Sequence, residues 1–392
     1  MTWMLPILFL YLFAGTFQYL GVISPTQCNF IVLFLFIHIF KFYSSWRQLR
    51  IEFLLFLFLI FIIVYHFIVD AKISYTSTYV YYLICTIIAA CSGRIYANRL
   101  FGEYGTLSNT VFFKISKIFL FIQLLVTIIQ ASFTESYISF SKAAIGYEDA
   151  IFGTLFLQSD ATLATICELM ILSVYLLPSK YNEKIIITIL GVFVVFLGNS
   201  KAAQLIILII LLILFFKFIF DKIKSYKLGF KILIWLFFIL LFCFTYSEWS
   251  IYLYNFIQEA QYDYQRKDEW ITAPRFAPFG EIFQTGISWF GQGPLTYYNP
   301  IEKTWLYNSG FSTIYVLYFD YGLLGFILYF AYQTFLILKF GVNFTAKMIL
   351  FIILLSYMNF NLVLTDIGFI FMFNFTLLLL YRYKKLPIHC GR

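Results

Sequence analysis

The chain has 392 residues, of which 62% are hydrophobic and only 12% are charged, and its mean hydropathy is +0.87. Soluble globular domains carry about 25% charged residues, so this composition excludes an ordinary soluble domain and predicts an all-α polytopic membrane protein. The six cysteines are scattered singly, which favours neither a disulfide framework nor a metal site.

Apolar runs divide the chain into predicted spans. A membrane-spanning helix needs roughly 20 mainly apolar residues. This criterion predicts about twelve spans in a single transmembrane domain covering residues 1–392: Trp3 to Ile23, Cys28 to Tyr43, Ile51 to Val69, Tyr75 to Cys91, Val111 to Ala131, Ala161 to Leu177, Ile185 to Leu197, Ala202 to Phe220, Phe230 to Tyr246, Phe311 to Leu338, Met348 to Asn361 and Ile367 to Tyr381. The first run lacks a charged n-region and a small-residue cleavage site, so we expect it to be a span and not a cleavable signal peptide.

The positions of lysine and arginine predict the orientation. If the N-terminus is cytoplasmic, the inner connections hold 20 of the 27 cations, and every inner connection is basic. Cytoplasmic loops accumulate lysine and arginine. The pattern therefore predicts that both termini are cytoplasmic, and it accounts for the net charge of +8 without a nucleic-acid partner.

Two outer connections are long enough to be more than turns. They are the first long periplasmic loop, Ser132 to Asp160, and the large periplasmic loop, Ser247 to Gly310. The second contains an amphipathic aromatic stretch from Glu248, which is typical of a helix lying in the headgroup plane. Such a helix could cover the bundle or guide a substrate.

Few cations face outward: Lys72, Lys142, Lys201, Arg266, Lys267, Arg275 and Lys303. Acidic neighbours favour a solvated cluster for Arg266 and Lys267. Arg275 instead lies between prolines and phenylalanines, and the glycines Gly291 and Gly293 follow it. A guanidinium presents a planar fork of donors suited to phosphate oxygens, so Arg275 is the first candidate for binding a phosphate.

Several outer segments carry patterned residues. Arg275 is followed by ten residues and then Gly286, and the sequence WFGQG occupies positions 289–293. The sequence GNSK occupies positions 198–201 at the outer end of a central span. The sequence NSGF at positions 308–311 precedes YGLLG at positions 321–325.

In this order, on this side of the membrane, the segments resemble the O-antigen polymerase (Wzy-type) family and its relative, the O-antigen ligase. The matching family features are an arginine and a glycine with ten residues between them, an apolar residue before Gly-x-Gly, a Ser-Arg pair, and a Ser-Gly-aromatic group before Tyr-Gly-x-x-Gly. Ser200 and Lys201 stand at the Ser-Arg pair with lysine for arginine. A weaker match to the first feature begins at Lys142, which is followed by ten residues and then Gly153. The resemblance covers roughly residues 142–325.

The resemblance implies a GT-C-like polymerase and ligase architecture and a glycosyltransferase in a Gram-negative inner membrane. Its substrates would be oligosaccharide repeats on undecaprenyl pyrophosphate, joined at the periplasmic face, with a chain-length regulator protein as a partner. Preorganised cations would stabilise the leaving pyrophosphate. We expect Arg275, then Lys201 and Lys142, to bind it beside Ser200. We expect no cofactor and no metal.

A general base is harder to assign. The ligase relatives have a histidine near the position of Tyr307 or Asn308, and no outer loop of this chain contains one. Glu281, Asp268, Glu269 and Tyr307 remain candidates, and His66 near the outer end of its span could reach the cavity or be a hydrogen-bonded core histidine.

Further residues are candidates for lining the cavity. Asn308 and Ser309 belong to the motif segments. Glu168 and Asp320 lie about 12 to 14 Å below the outer face at 1.5 Å per residue. Ionisable groups inside spans indicate function by default, although each carboxyl group could instead satisfy polar groups on a neighbouring helix, such as Asn359, Asn361 or Gln130.

Two other functions stay open. An O-antigen ligase would transfer the glycan to lipid A-core. A lipid-linked oligosaccharide flippase would also have about twelve spans and a basic inner face, although the long outer loop argues against it.

Overall fold

The computed structural model describes residues 5–24, 27, 30, 31, 34, 50–70, 73–105, 108–140, 150–155, 160–198, 200–223, 250, 251, 254, 287–293, 298, 299, 304, 305, 312–361 and 363–385. This part of the chain is mainly helical, with one pair of two-residue strands and short non-helical segments such as 150–155 and 287–293. The elements are α1 (Leu5–Leu8), a π-helical turn (Phe9–Phe13), α2 (Ala14–Tyr19), α3 (Arg50–Asp70), α4 (Ile73–Tyr104), α5 (Ser108–Ser132), α6 (Thr134–Phe140), α7 (Asp160–Leu176), α8 (Tyr181–Leu197), α9 (Lys201–Ile223), β1 (Tyr298–Asn299), β2 (Thr304–Trp305), α10 (Thr313–Phe340), α11 (Phe344–Phe360), a 3-10 turn (Val363–Thr365) and α12 (Ile367–Lys385).

The prediction of a helical membrane protein is confirmed. Among the described residues, four helices are long and apolar enough to cross a membrane: Ser108–Ser132, Ala202–Ile219, Thr313–Phe340 and Ile367–Lys384. Leu55–Ile68, Ala161–Leu176 and Phe344–Asn359 are shorter apolar helices. The count of twelve stays a prediction, because Phe230 to Tyr246 and most of Cys28 to Tyr43 lie outside the described residues.

The core is organised around the packing of α12 against α4. Small residues line α4 here, and Ala89, Ser92 and Ala97 are completely buried. A Cβ added to Gly93 would lie 2.3 Å from the carbonyl oxygen of Phe371 on α12. Small residues allow this close approach of two helix backbones, as is common between membrane helices.

The structure corrects the predicted inner end of the fourth span. Hydropathy ended this span at Cys91, with Arg94 in a cytoplasmic loop, but α4 continues to Tyr104 and Arg94 is only 4% exposed. The Arg94 Nε donates to the carbonyl of Ala90 at 3.3 Å. The helix therefore continues through the local polarity that suggested a loop, and the fold buries Arg94.

Polar contacts link pairs of helix ends. The predicted topology places both members of each pair on the same side of the membrane. Lys117 pairs with Glu183 at 3.7 Å, and Arg382 Nε donates to Asn98 Oδ1 at 2.7 Å. All four residues fall on the predicted inner side. Which side faces the cytoplasm stays a prediction.

Helix α10 is interrupted at Gly322, where φ is 74° and ψ is −178°. The portion from Leu323 to Phe340 is about 27 Å long at 1.5 Å per residue, close to the thickness of a bilayer core. The portion from Thr313 to Tyr321 precedes the kink and packs around the buried rings of Tyr315, Tyr318 and Phe319.

Candidate functional site

Most of the predicted catalytic and pyrophosphate-binding residues lie outside the described residues. These are Arg275, Glu281, Tyr307 and Lys142, and the cavity candidates Asn308 and Ser309 lie outside the described residues as well. Their assignments stay predictions, and the same holds for Asp268 and Glu269. The described site is therefore built from the other candidates and from their neighbours.

Ser200 and Lys201 form the turn that leads into α9. Lys201 is the first residue of that helix, and the carbonyl of Ser200 accepts the first intrahelical bond from Gln204 N at 2.9 Å. The Gln204 side chain donates back to Phe196 O at 3.2 Å and closes the turn. The backbone N–H groups at a helix start carry a partial positive charge, which favours anions.

The segment Ser288–Gly293 docks on the kink of α10, and we call this arrangement the backbone clamp. Because Gly322 interrupts the helix, Leu323 and Leu324 cannot donate to the carbonyls one turn earlier. Their N–H groups instead donate to Ser288 O at 2.9 Å and to Trp289 O at 3.2 Å. The clamp thus satisfies backbone groups that the kink has released.

The exchange is reciprocal at Phe319. Its carbonyl, which an unbroken helix would offer to Leu323, accepts the N–H of Gln292 at 2.7 Å. Within the segment, Gly291 N donates to Ser288 Oγ at 2.9 Å, and Ser288 N donates to the Tyr318 hydroxyl at 3.3 Å. The docked segment is held at both ends and across its turn.

Gly291 and Gly322 face one another at the centre of the clamp. A Cβ on Gly291 would lie 2.5 Å from Gly322 N, and a Cβ on Gly322 would lie 2.3 Å from Gly291 N. Both residues have positive φ, 78° and 74°. Only glycine combines this backbone conformation with so close an approach. Gly293 also has positive φ, at 96°, and it is buried.

The sequence patterns WFGQG and YGLLG are therefore in direct contact. The carbonyl of Asp320 lies 2.6 Å from the Cβ position of Gly291, and the Asp320 side chain is buried. Sequence reasoning found both patterns and did not predict their contact.

His66 joins the backbone clamp from α3. Its Nε2 lies 2.8 Å from the carbonyl oxygen of Phe290, and the ring of Tyr65 lies 6.0 Å from the Phe290 ring. A carbonyl can only accept, so Nε2 carries a proton and donates. This nitrogen supports the docked segment and is not a base in this state.

The side chains of the docked segment point outward. Trp289 is 59% exposed and Phe290 is 47% exposed, and Ile287 beside them is also exposed. Apolar rings at the outer end of a bundle are suited to the boundary between lipid and water, where Trp and Tyr concentrate in membrane proteins.

A second docked segment, Ala150–Leu155, precedes α7, and we call its attachment the side-chain clamp. Gln130 donates to Gly153 O at 3.0 Å and accepts from Gly153 N at 2.8 Å. Gln123 donates to Thr154 Oγ1 at 2.6 Å and accepts from Thr154 N at 2.9 Å. Two amide side chains on α5 thus satisfy the backbone of a non-helical segment.

In the sequence, Gly153 is notable only for its spacing from Lys142. It has φ of 67°, and a Cβ there would lie 2.1 Å from Gln123 Oε1. The spacing of Gln123 and Gln130, two turns apart on an apolar helix, is the signal that could have predicted the clamp.

Asp366 at the start of α12 is the centre of a polar cluster that sequence reasoning missed. Its Oδ2 accepts from the Thr162 hydroxyl at 2.5 Å and from the Tyr357 hydroxyl, and its Oδ1 accepts from Phe369 N at 2.8 Å. Burial raises the pKa of Asp366, while the hydrogen bonds from Thr162 and Tyr357 oppose the rise. The carboxyl group caps α12 and ties it to α7 and α11.

Glu168 lies in the middle of α7 beside Cys167 and is 2% exposed. The described cavity among the helices is lined neither by Glu168 nor by Asp320. A cavity shared by these two carboxyl groups therefore stays a prediction. Within the described part of the chain, no group of three His, Cys, Asp or Glu residues is placed to hold a metal ion.

No protein-family model and no curated protein matches this chain.

The chemistry of the site follows from its own geometry. The backbone clamp holds an aromatic segment against the kink of α10, and it leaves the rings of Trp289 and Phe290 exposed.

Proposed function

We propose that this protein is a membrane glycosyltransferase that polymerises oligosaccharide repeats carried on undecaprenyl pyrophosphate at the periplasmic face. The observation that carries the proposal is the contact between Ser288–Gly293 and the kinked Tyr321–Gly325 segment. Both segments belong to the sequence patterns that resemble the O-antigen polymerases, and their contact gives those patterns one common structural purpose.

In this proposal the docked segment fixes the end of the large outer loop that carries Arg275. Only two residues separate Gly286 of the arginine pattern from Trp289, so the clamp would keep that pattern near the membrane surface. The exposed rings of Trp289 and Phe290 would contact the isoprenoid, and Arg275 would contact the pyrophosphate.

The reaction joins two repeats. A hydroxyl of the acceptor repeat attacks the anomeric carbon of the donor, the bond to the pyrophosphate oxygen breaks, and undecaprenyl pyrophosphate leaves. Negative charge grows on the leaving group, and Arg275 with Lys201 would stabilise it. The proton of the attacking hydroxyl passes to a base, for which Glu281 and Tyr307 remain candidates.

Reconstitution tests the overall function. The purified chain is placed in liposomes whose outer leaflet carries lipid-linked repeats, and glycan length is measured by gel electrophoresis. We expect longer glycans together with released undecaprenyl pyrophosphate. Transfer of repeats across the bilayer without elongation would instead identify a flippase, and transfer only to added lipid A-core would identify a ligase.

A substitution series tests the site. Arg275→Ala is expected to lower kcat by about 10² to 10³-fold, the usual cost of losing one preorganised charge stabiliser. Arg266→Ala is the matched control, since it removes another cation of the same loop, and we expect less than about a threefold change. Equal activity of the two variants would remove Arg275 from the site.

A further inference from the structure

A small cavity lies between α3, α4, α10 and α12, apart from the residues that the proposed reaction uses. Most of its lining is apolar, as at Leu59, Leu83 and Ile370, and none of the described lining residues is Asp, Glu, Lys or Arg. The centre of a water molecule can occupy about 20 Å³ of this cavity. A water site needs at least about 10 to 15 Å³ by this measure, so the cavity has room for one water molecule.

Two amide side chains in this lining lack part of their hydrogen bonding. Gln333 is 6% exposed and Asn374 is 3% exposed, and both line the cavity. Within the part of the chain that the structure describes, Gln333 Oε1 and Asn374 Oδ1 have no hydrogen-bond partner. Buried polar atoms in folded proteins are nearly always paired, so each of these oxygens requires a donor.

The hydrogen bonds around the two oxygens define what this donor must be. Asn374 Nδ2 donates to the carbonyl of Ile370 at 2.9 Å, which fixes that amide and leaves Oδ1 as an acceptor. Gln333 Nε2 donates to the Tyr329 hydroxyl at 3.1 Å. The hydroxyl keeps its own proton to donate, and Tyr329 also lines the cavity. The three side chains therefore offer two acceptors and one donor.

A single water molecule matches this set. Its two protons can be donated to Gln333 Oε1 and Asn374 Oδ1, and its oxygen can accept the proton of the Tyr329 hydroxyl. If the Gln333 amide is turned over, the hydroxyl donates to Oε1 and the water accepts from Nε2 instead. Buried waters typically make about three such bonds to groups that otherwise have no partner.

We propose that this cavity is a hydration site, in which one ordered water molecule joins α10 to α12 through Gln333 and Asn374. Gln333 lies seven residues before the end of α10, roughly 10 Å from that end at 1.5 Å per residue. The bridge therefore lies within a candidate membrane span, where buried polar groups must find partners inside the protein. It stabilises the packing of the kinked helix against the last helix. This inference does not depend on the glycosyltransferase proposal.

X-ray radiolysis tests the proposal. The full chain in lipid nanodiscs is exposed to short X-ray pulses, which convert bound water into hydroxyl radicals, and the side chains that these radicals oxidise are identified by mass spectrometry. Tyr329 is the reporter and Tyr96 is its comparison, since both are 1% exposed and only Tyr329 lines the cavity. We expect Tyr329 to be oxidised several times faster than Tyr96.

Variants assign the oxidation to the bridging water. Asn374→Leu removes one acceptor and is expected to lower the Tyr329 rate about fivefold to tenfold, the usual effect of one hydrogen bond on an equilibrium. Thr376→Val is the matched control, because Thr376 is buried on the same helix, also lacks a partner for its hydroxyl among the described residues, and does not line the cavity. It should leave the Tyr329 rate unchanged.

Three results would overturn the proposal. Equal rates for Tyr329 and Tyr96 in the native chain would show a dry cavity. An unchanged Tyr329 rate in Asn374→Leu would show that the amide does not hold the water, and an equal fall in Thr376→Val would show a general effect on α12. If Asn374→Leu fails to fold, Gln333→Leu takes its place, and the two rates in the native chain still decide whether the cavity is hydrated.

Discussion

The two docked segments solve the same problem in different ways. Each is a non-helical piece of a predicted outer connection that reaches about nine residues along a helix, to Gln123 on α5 and to Gly322 on α10. Non-helical backbone at membrane depth is tolerated only where its polar groups find partners. The side-chain clamp supplies partners from two glutamines, and the backbone clamp supplies them from a broken helix.

The difference has a consequence for exposure. Ala150, Phe152 and Leu155 in the first segment are almost completely buried, whereas Trp289 and Phe290 in the second are exposed. A segment held by its backbone alone leaves its side chains available. The side-chain clamp thus buries the side chains of its segment, and the backbone clamp leaves the rings of Trp289 and Phe290 exposed.

The largest effect is expected from Gly322→Ala, which breaks the backbone clamp. The new Cβ would meet backbone atoms at 2.3 to 2.5 Å in a backbone conformation that only glycine adopts easily. We expect a loss of about 3 to 5 kcal/mol in unfolding free energy, measured by thermal unfolding in detergent. Gly102→Ala is the control, since nothing lies within 4 Å of its Cβ position, and it should not destabilise the chain.

Gln123→Leu is expected to break the side-chain clamp with a somewhat smaller loss. The variant leaves the buried N–H of Thr154 without its acceptor and the Thr154 hydroxyl without its donor, at a cost of about 2 to 3 kcal/mol. Gln204→Leu removes a comparable amide from an exposed turn and should cost less than about 1 kcal/mol. Equal losses in the two variants would contradict the assigned role of Gln123.

Gly153→Ala sharpens the comparison, because its Cβ would meet a side chain and not the backbone. We expect a loss of about 1 to 2 kcal/mol and a coupling of about 1 kcal/mol with Gln123→Ala in a double-mutant cycle of unfolding free energies. Truncating a neighbouring side chain should not restore the stability of Gly322→Ala, because its Cβ would meet backbone atoms. A purely additive cycle would show that Gln123 does not restrict position 153.

His66→Leu is expected to have the smallest effect. It removes one hydrogen bond to the Phe290 carbonyl, which is worth about 1 kcal/mol. Amide hydrogen exchange should become faster at Leu323 and Leu324 and stay unchanged at Thr154, since only the backbone clamp is touched. Faster exchange at both clamps would indicate a general loosening of the bundle.

Hydropathy predicted the helical membrane character and most helix positions, because the apolar content that drives a segment out of water can be judged from that segment alone. It failed where packing overrides polarity, as at Arg94, which the sequence placed in a loop and the fold buries within α4. Hydropathy also did not predict the kink at Gly322, since a glycine within an apolar run is compatible with an unbroken helix.

The candidate site was predictable in part. Glycines in the patterns WFGQG and YGLLG mark positions of unusual backbone, and this much can be inferred from residue type. Their contact depends on the path of the chain between them. The sequence did not indicate Asp366, because a lone carboxylate before a span resembles a surface residue. Only the fold places Thr162 and Tyr357 in contact with it.

The close packing of α4 and α12 also sets the order in which the protein can be built. Thr86 on α4 donates to the carbonyl of Leu364, which is 278 residues further along the chain. At a synthesis rate of about 5 to 20 residues per second, α4 waits on the order of tens of seconds in the membrane for this partner. During that interval the face of α4 around Gly93 lacks the helix that packs against it. The close packing of α4 therefore forms late, only after Leu364 and α12 have been synthesised.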